Sequence, residues 1–272
     1  MLATCAAFDR VSHGGTDQQL HVGKVVGAQV APTERKGVPL RLVASVLRPT
    51  LIALTGRRWN GGQHIPGQGD GVVVAPNHIS DFDPLTCAHF LWDHGRIPRF
   101  LGKESLFRIP VLGRLIAACG QIPVYRGKRE AGRALVAAIA AVQAGQCVII
   151  YPEGTLTKDP QMWPMAGKSG AARVALQTGC PVIPLAQWGQ QNVMHPISKR
   201  IRLFPRRTVH VRAGAPVDLD DLRGAALSPA VLTEAADRIL DALTDEVAIL
   251  RGERPPPTRF ELNRDDLNRD EG

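Results

Sequence analysis

The stretch VVVAPNHISDFDP, residues 72–84, decides how the chain is read. Four apolar residues suit a strand buried on both faces, which carries no polar alternation. Pro76 stops it. His78 follows at once, and Asp83 stands five positions later, with Pro84 next. Asp83 reads as the N-cap of a helix and Pro84 as its first residue. The stretch is therefore a strand, a tight turn and a helix start. On one helix, positions five apart diverge by about 140°, so His78 and Asp83 meet only if residues 78–82 fold back on the helix N-terminus. An acid accepting the Nδ1–H of His78 would fix its tautomer and leave Nε2 as an outward base. Asp81 is the competing acid. The plain alternative is a capping Asp and a loop His that packs or hydrogen-bonds.

The same alternation continues downstream. DPLTCAHFLWDHG (83–95) is a helix, RIPRFLGKES (96–105) a short strand and loop, and IPVLGRLIAACG (109–120) a short apolar helix. GQIPVYRG (120–127) is a strand, KREAGRALVAAIAAVQAGQ (128–146) an Ala-rich helix, and CVIIYPEGT (147–155) a strand entering a tight loop. KSGAARVALQTG (168–179) is a helix, and CPVIPLAQWG (180–189) and RTVHVRAGAPV (207–217) are strands. The last long helix lies in 228–252, with Ser228 as its N-cap. Strands separated by helices predict an α/β domain over 61–251, with a mostly parallel central sheet flanked by helices. Ligands of such sheets gather at the loops after the strand C-termini. Residues 1–36 lack a sustained period and read as a mobile leader. The charged, Pro-rich 252–272 reads as a disordered tail.

The chain has 272 residues, 44% hydrophobic, with a formal net charge of +8, so an anionic partner is expected: nucleic acid, phospholipid or a phosphorylated small molecule. No helix-turn-helix, zinc or stacking-aromatic pattern supports nucleic acid. Five cysteines stand far apart without a C-x-x-C, and no third ligand accompanies His78. This argues against a disulfide framework and against a metal site, and fits core thiols in a reducing compartment. Residues 37–60, GVPLRLVASVLRPTLIALTGRRWN, are apolar but interrupted by Arg41 and Arg48. A spanning helix would place an arginine in hydrocarbon. An amphipathic helix lying flat would keep both among headgroups, with Trp59, Arg57 and Arg58 at the interface. Packing on a soluble core is the other reading. Residues 198–212 hold six Lys/Arg and no acid, so they suit anionic headgroups or a solvated sheet edge.

Two further loops carry candidate chemistry. In YPEGT (151–155), Gly154 permits a positive φ and exposed N–H groups that hold an oxyanion or phosphate, and Glu153 can position a hydroxyl. Arg126 ends another strand and offers a fork for phosphate. AGKSG (166–170) lacks the upstream Gly and the feeding strand of a phosphate loop, yet Lys168 near a helix start can meet phosphate.

Four blocks in order, NHISDFDP (77–84), GKESLFRIPVLGRLIAACGQIPVYRG (102–127), YPEGT (151–155) and CPVIPLA (180–186), resemble the glycerolipid acyltransferase family over roughly 37–220. The likeness is to its 1-acylglycerol-3-phosphate acyltransferases in particular. It implies transfer of a fatty acyl group from acyl-CoA or acyl-carrier protein to the sn-2 hydroxyl of lysophosphatidic acid, giving phosphatidic acid. His78 is the implied base and Asp83 its orienting acid, with Asn77 of the same block implied at the substrate. Arg126 and Lys103 are implied at the acceptor phosphate, Glu153, Gly154 and Thr155 at the acceptor, and Pro184 on the acyl-CoA side. No cofactor is implied beyond the donor substrate. A lipid acceptor favours the membrane reading of 37–60 and places the protein peripherally on a cytoplasmic membrane face. One departure is Leu156, where the family usually has Arg; Lys158 or Lys168 would then supply the cation. Another lysolipid or a glycolipid is the alternative acceptor. Water in place of an acceptor would give a thioesterase.

Overall fold

The computed structural model of the chain describes residues 37–124 and 128–261. The expected leader over 1–36, Arg126 and the last eleven residues lie outside the described part. Seven strands form one sheet in the order β1-β7-β6-β2-β5-β3-β4. They are β1 Thr55–Asn60, β2 Val72–Pro76, β3 Pro98–Lys103, β4 Ile122–Val124, β5 Cys147–Ile149, β6 Val182–Trp188 and β7 Arg207–Ala213. All neighbours run parallel except β6 and β7. The helices are α1 Val38–Leu54, α2 Asp83–Asp93, α3 Glu104–Phe107, α4 Leu112–Ala118, α5 Lys128–Gln143, α6 Gly170–Thr178, α7 Gln190–Val193 and α8 Pro229–Arg251.

The two-residue side-chain period of the strands sorts the core into two layers. Val73, Ala75, Val148 and Val182 face Ala138, Val142, Val174, Ala175 and Ile239 of α5, α6 and α8. Val72, Val74, Cys147, Ile149, Ile183 and Leu185 face Cys87, Phe90 and Leu91 of α2. Burial on both faces is why VVVA needs no polar alternation. Cys87, Cys119, Cys147 and Cys180 are free and buried, as expected of core thiols. Ser228 caps α8, accepting from the N–H of Val231.

The segment 37–60 is not one helix. It is helical to Leu54 and then becomes β1, pairing in parallel with β7 from Thr55–Arg207 to Asn60–Arg212. Trp59, Arg57 and Arg48, three of the expected interfacial groups, consequently converge on Asp93, while Arg41 and Arg58 stay exposed. Trp59 donates Nε1–H to Asp93 at 3.1 Å and meets Phe90 edge-on. Arg48 and Arg57 pair with the same carboxylate at 2.9 and 3.2 Å. What α1 leaves in the open is an apolar stripe at helical spacing: Val38, Leu42 and Val46 are each more than 60% exposed. Among the described residues no helix is long and apolar enough to cross a membrane.

The start of the tail is docked rather than disordered. Ala166 N–H donates to Phe260 O at 2.9 Å, and Arg259 pairs with Asp237 and Asp241 of α8. Composition alone missed this because one arginine and one backbone carbonyl do the holding.

Candidate active site

β2, β5, β3 and β4 run parallel, so their C-terminal ends lie on one edge of the sheet. His78 leaves β2. Lys103 closes β3 beside Val124, the last residue of β4, and Arg126 follows two positions later in sequence. Glu153, Gly154 and Thr155 follow β5.

Residues 77–83 fold as the spacing required. His78 Nδ1 lies 2.9 Å from Asp83 Oδ2. The same oxygen accepts the N–H of Ile79 at 2.6 Å and of Ser80 at 2.8 Å. Asp83 is thus not the N-cap. Phe82 is, and Asp83, the first helical residue, turns its carboxylate back onto the preceding turn instead of forward onto α2. The capping reading fails for that reason. Asp81 is no rival: it pairs with Lys199 at 2.5 Å.

Asp83 is fully buried and its side chain has no access to water. Burial pushes its carboxyl above the ordinary range, against His78 and the Ser80 and Ile79 amides, which pull it down. Two backbone N–H groups and His78 Nδ1 converge on Oδ2, and Oδ1 is buried without a partner. The His78 contact and the two backbone amides favour the carboxylate against that burial. The His78 side chain is 18% exposed. Its Nε2 is the ring nitrogen left for an incoming group.

The β5 loop grips the His78 backbone on both sides. Glu153 Oε1 accepts the His78 N–H at 3.0 Å, and Thr157 N–H donates to His78 O at 2.7 Å. Glu153 Oε2 accepts Met165 N–H at 3.1 Å, and the residue is 2% exposed. Burial pushes Glu153 up to about 8, opposed by those two amides. Both its oxygens are used within the chain, so the geometry makes it a positioning group for His78 instead of the acceptor contact expected. Asn77 differs from expectation in the same way. It is fully buried, its Nδ2 donates to Gln187 O at 3.0 Å and its Oδ1 accepts Gln187 N–H at 2.7 Å. That double bond ties the end of β2 to β6.

Gly154 has φ +74°, a value that favours glycine. Its N–H is taken by Tyr151 O at 3.1 Å, so it is not the free anion donor that was expected. Lys168 crosses directly above it: a Cβ at position 154 would lie 3.1 to 3.4 Å from Cδ, Cε and Nζ of Lys168. The structure therefore brings an exposed ammonium to the loop where Leu156 leaves no guanidinium. Pro184 is buried within β6, pairing with Ala75, and lines a hollow with Asp218, Asp241 and Glu246.

Four participants were not singled out by the sequence: Tyr151, Thr86, Gln187 and Gln190. Tyr151 stacks on the His78 imidazole, with centroids 4.2 Å apart and planes 28° apart. Thr86, Gln187 and Gln190 form a buried polar chain under the turn: Thr86 Oγ1 donates to Gln187 Oε1 at 2.8 Å, and Gln190 Nε2 to Thr86 Oγ1 at 3.2 Å. A glutamine inside the otherwise apolar VIPLAQW was the one hint of it.

Comparison with known proteins agrees with this architecture. The Acyltransferase family model matches residues 52–188. The chloroplastic 1-acyl-sn-glycerol-3-phosphate acyltransferase of Brassica napus is 32% identical over 135 residues, which is 49% of this chain and 38% of that protein. The enzyme of the same name from Borreliella burgdorferi is 32% identical over 135 residues, 48% of this chain and 51% of that protein. The chain thus aligns with about half or less of these relatives' lengths. The crystal structure of PlsC, the 1-acyl-sn-glycerophosphate acyltransferase of Thermotoga maritima, superposes with a TM-score of 0.60 at 24% identity, over 79% of this chain and 81% of that one. At that identity the likeness concerns the fold.

Proposed function

The chain belongs to the acyltransferase family, and from that premise we propose that it transfers a fatty acyl group from acyl-CoA or acyl-carrier protein to the sn-2 hydroxyl of 1-acylglycerol-3-phosphate. The observation that carries the reading is the 2.9 Å contact of His78 Nδ1 with a buried Asp83, on a ring still partly open to solvent. Nε2 takes the proton of the acceptor hydroxyl as that oxygen attacks the thioester carbonyl. The carbon–sulfur bond then breaks, and the proton passes from His78 to the departing thiolate. Asp83 stabilises the imidazolium that exists between the two proton movements. Tyr151 and the Glu153–Thr157 clamp hold the ring and its backbone in place.

Lys168 supplies the cation for the acceptor phosphate at the β5 loop, and the family resemblance assigns Lys103 and Arg126 to the same phosphate. The lysolipid acceptor resides at a membrane, and the exposed Val38–Leu42–Val46 stripe of α1 suits a helix lying in the headgroup region. The protein then works peripherally at the cytoplasmic face, where free thiols such as the four buried ones persist.

The test is an acceptor screen with one labelled acyl-CoA, reading lipid products by mass. Lysophosphatidic acid should give phosphatidic acid. His78→Ala should lower turnover about 10²–10⁴-fold while the protein stays folded. Thiol release at the same rate without any acceptor would make the protein a hydrolase, and normal turnover in folded His78→Ala would end the mechanism.

A further inference from the structure

The excursion between α7 and β7, residues 194–206, is an exposed segment that mixes large apolar and basic side chains. Ile197 and Phe204 are each 86% exposed and Ile201 59%. Lys199, Arg200, Arg202 and Arg206 stand exposed among them, and residues 198–212 contain no acid. Three large apolar side chains held out in water amid basic groups require an explanation.

The segment is not a loose loop. Met194 and Ile201 form an antiparallel bridge, His195 N–H donates to Arg200 O at 3.1 Å, and Arg202 N–H to Val193 O at 2.7 Å. Its underside is apolar: Leu203 and Met194 pack with Val193, Val209, Phe82 and Leu51. Two ties reach the catalytic turn. Ser80 Oγ donates to Met194 O at 2.7 Å, and Lys199 pairs with Asp81. The second is a surface pair and adds little energy, so the partly buried serine bond is the firmer tie. A third tie reaches α1: Arg206 Nη2 donates to Ile52 O at 2.6 Å and Thr55 O at 2.7 Å. One folded tongue thus joins the turn that carries His78 to the C-terminal end of the helix with the exposed stripe.

We propose that residues 194–206 are a second bilayer-contact element, which inserts Ile197, Ile201 and Phe204 into a leaflet containing anionic lipid and so holds the His78 turn at the depth of the acceptor hydroxyl. The charge decides the occupant. A face whose exposed Lys199, Arg200, Arg202 and Arg206 meet one carboxylate, Asp81 on Lys199, keeps an excess of positive charge that complements anionic headgroups, whereas a second copy of the chain would bring the same cations against them. The proposal deepens the lipid-acceptor reading above and rests on it only for the meaning of the depth; the contact itself is independent of what reaction follows.

The experiment is co-sedimentation of the full chain with phosphatidylcholine vesicles, with and without about 30% phosphatidylglycerol, beside turnover assays. Ile201→Ser/Phe204→Ser should bind the anionic vesicles about 100-fold more weakly, each apolar group being worth about tenfold. Turnover on vesicle-borne acceptor should fall with it, and turnover on a short-chain acceptor below its micelle concentration should not. Arg200→Glu/Arg202→Glu, which changes only exposed side chains, should abolish the preference for phosphatidylglycerol and covers the case in which the serine variant misfolds. Unchanged vesicle binding by both folded variants overturns the proposal, as does a patch whose loss dissolves a dimer and leaves vesicle binding intact. If wild-type protein shows the patch-dependent vesicle binding but transfers no acyl group, the acyl-transfer reading fails and the contact stands.

Discussion

Replacing Asp83 by asparagine separates two ways in which an orienting acid can matter. Where the acid is held only by its histidine, an asparagine can turn its amide toward the ring and impose the wrong tautomer, at a cost of about 10⁴. Here that turn is blocked. The Oδ2 position receives the N–H groups of Ile79 and Ser80 as well as His78. A rotated amide would bring NH₂ against the Ile79 and Ser80 N–H groups, so the carbonyl oxygen keeps the site and Nδ1 keeps its proton. The loss is then only that of a charge beside the imidazolium. A charge-assisted hydrogen bond exceeds a neutral one by about 1–2 kcal/mol, which is a fall of about 5–30-fold in turnover. The displaced NH₂ occupies the partnerless Oδ1 position, at about 1–3 kcal/mol, offset in part by removing a buried charge. The assay is steady-state turnover beside thermal unfolding, with nitrogen-detected NMR of the His78 ring. A folded Asp83→Asn protein as inactive as His78→Ala, or one with the proton on Nε2, would refute this reasoning.

Three other outcomes are expected. Glu153 binds its proton near pH 8 in the folded protein against an ordinary 4.5, so between those values the native state holds more protons than the unfolded chain. Stability should then fall as pH rises from about 4.5 to about 8, by up to about 4–5 kcal/mol, and level off above; denaturant titrations across that window should lose most of the slope in Glu153→Gln. Asn77→Ala strands the Gln187 N–H and C=O and should cost about 2–6 kcal/mol in unfolding experiments; a raised KM with stability intact would instead return Asn77 to the substrate. Gly154→Ala forces a Cβ onto a backbone at φ +74° and against Lys168, and should cost about 1–2 kcal/mol by thermal unfolding while raising KM for the phosphorylated acceptor. An unchanged KM there would remove Lys168 from the phosphate site.

What the sequence by itself determined is local. Strands buried on both faces declare themselves as apolar runs, helices by their caps and periods, and a five-residue gap between an imidazole and a carboxylate allows few backbone paths. The parallel α/β sheet and the His78–Asp83 contact were legible for that reason. What only the tertiary structure decided involves partners far apart in the chain. RRW in 57–59 belongs to a strand because β7, some 150 residues on, supplies its hydrogen bonds. Glu153 and Asn77 face inward because His78, Met165 and Gln187 offer amides there. A polar side chain has the same identity on a surface and in a core. Its role is set by which donors and how much water surround it, and these are fixed only when distant segments meet.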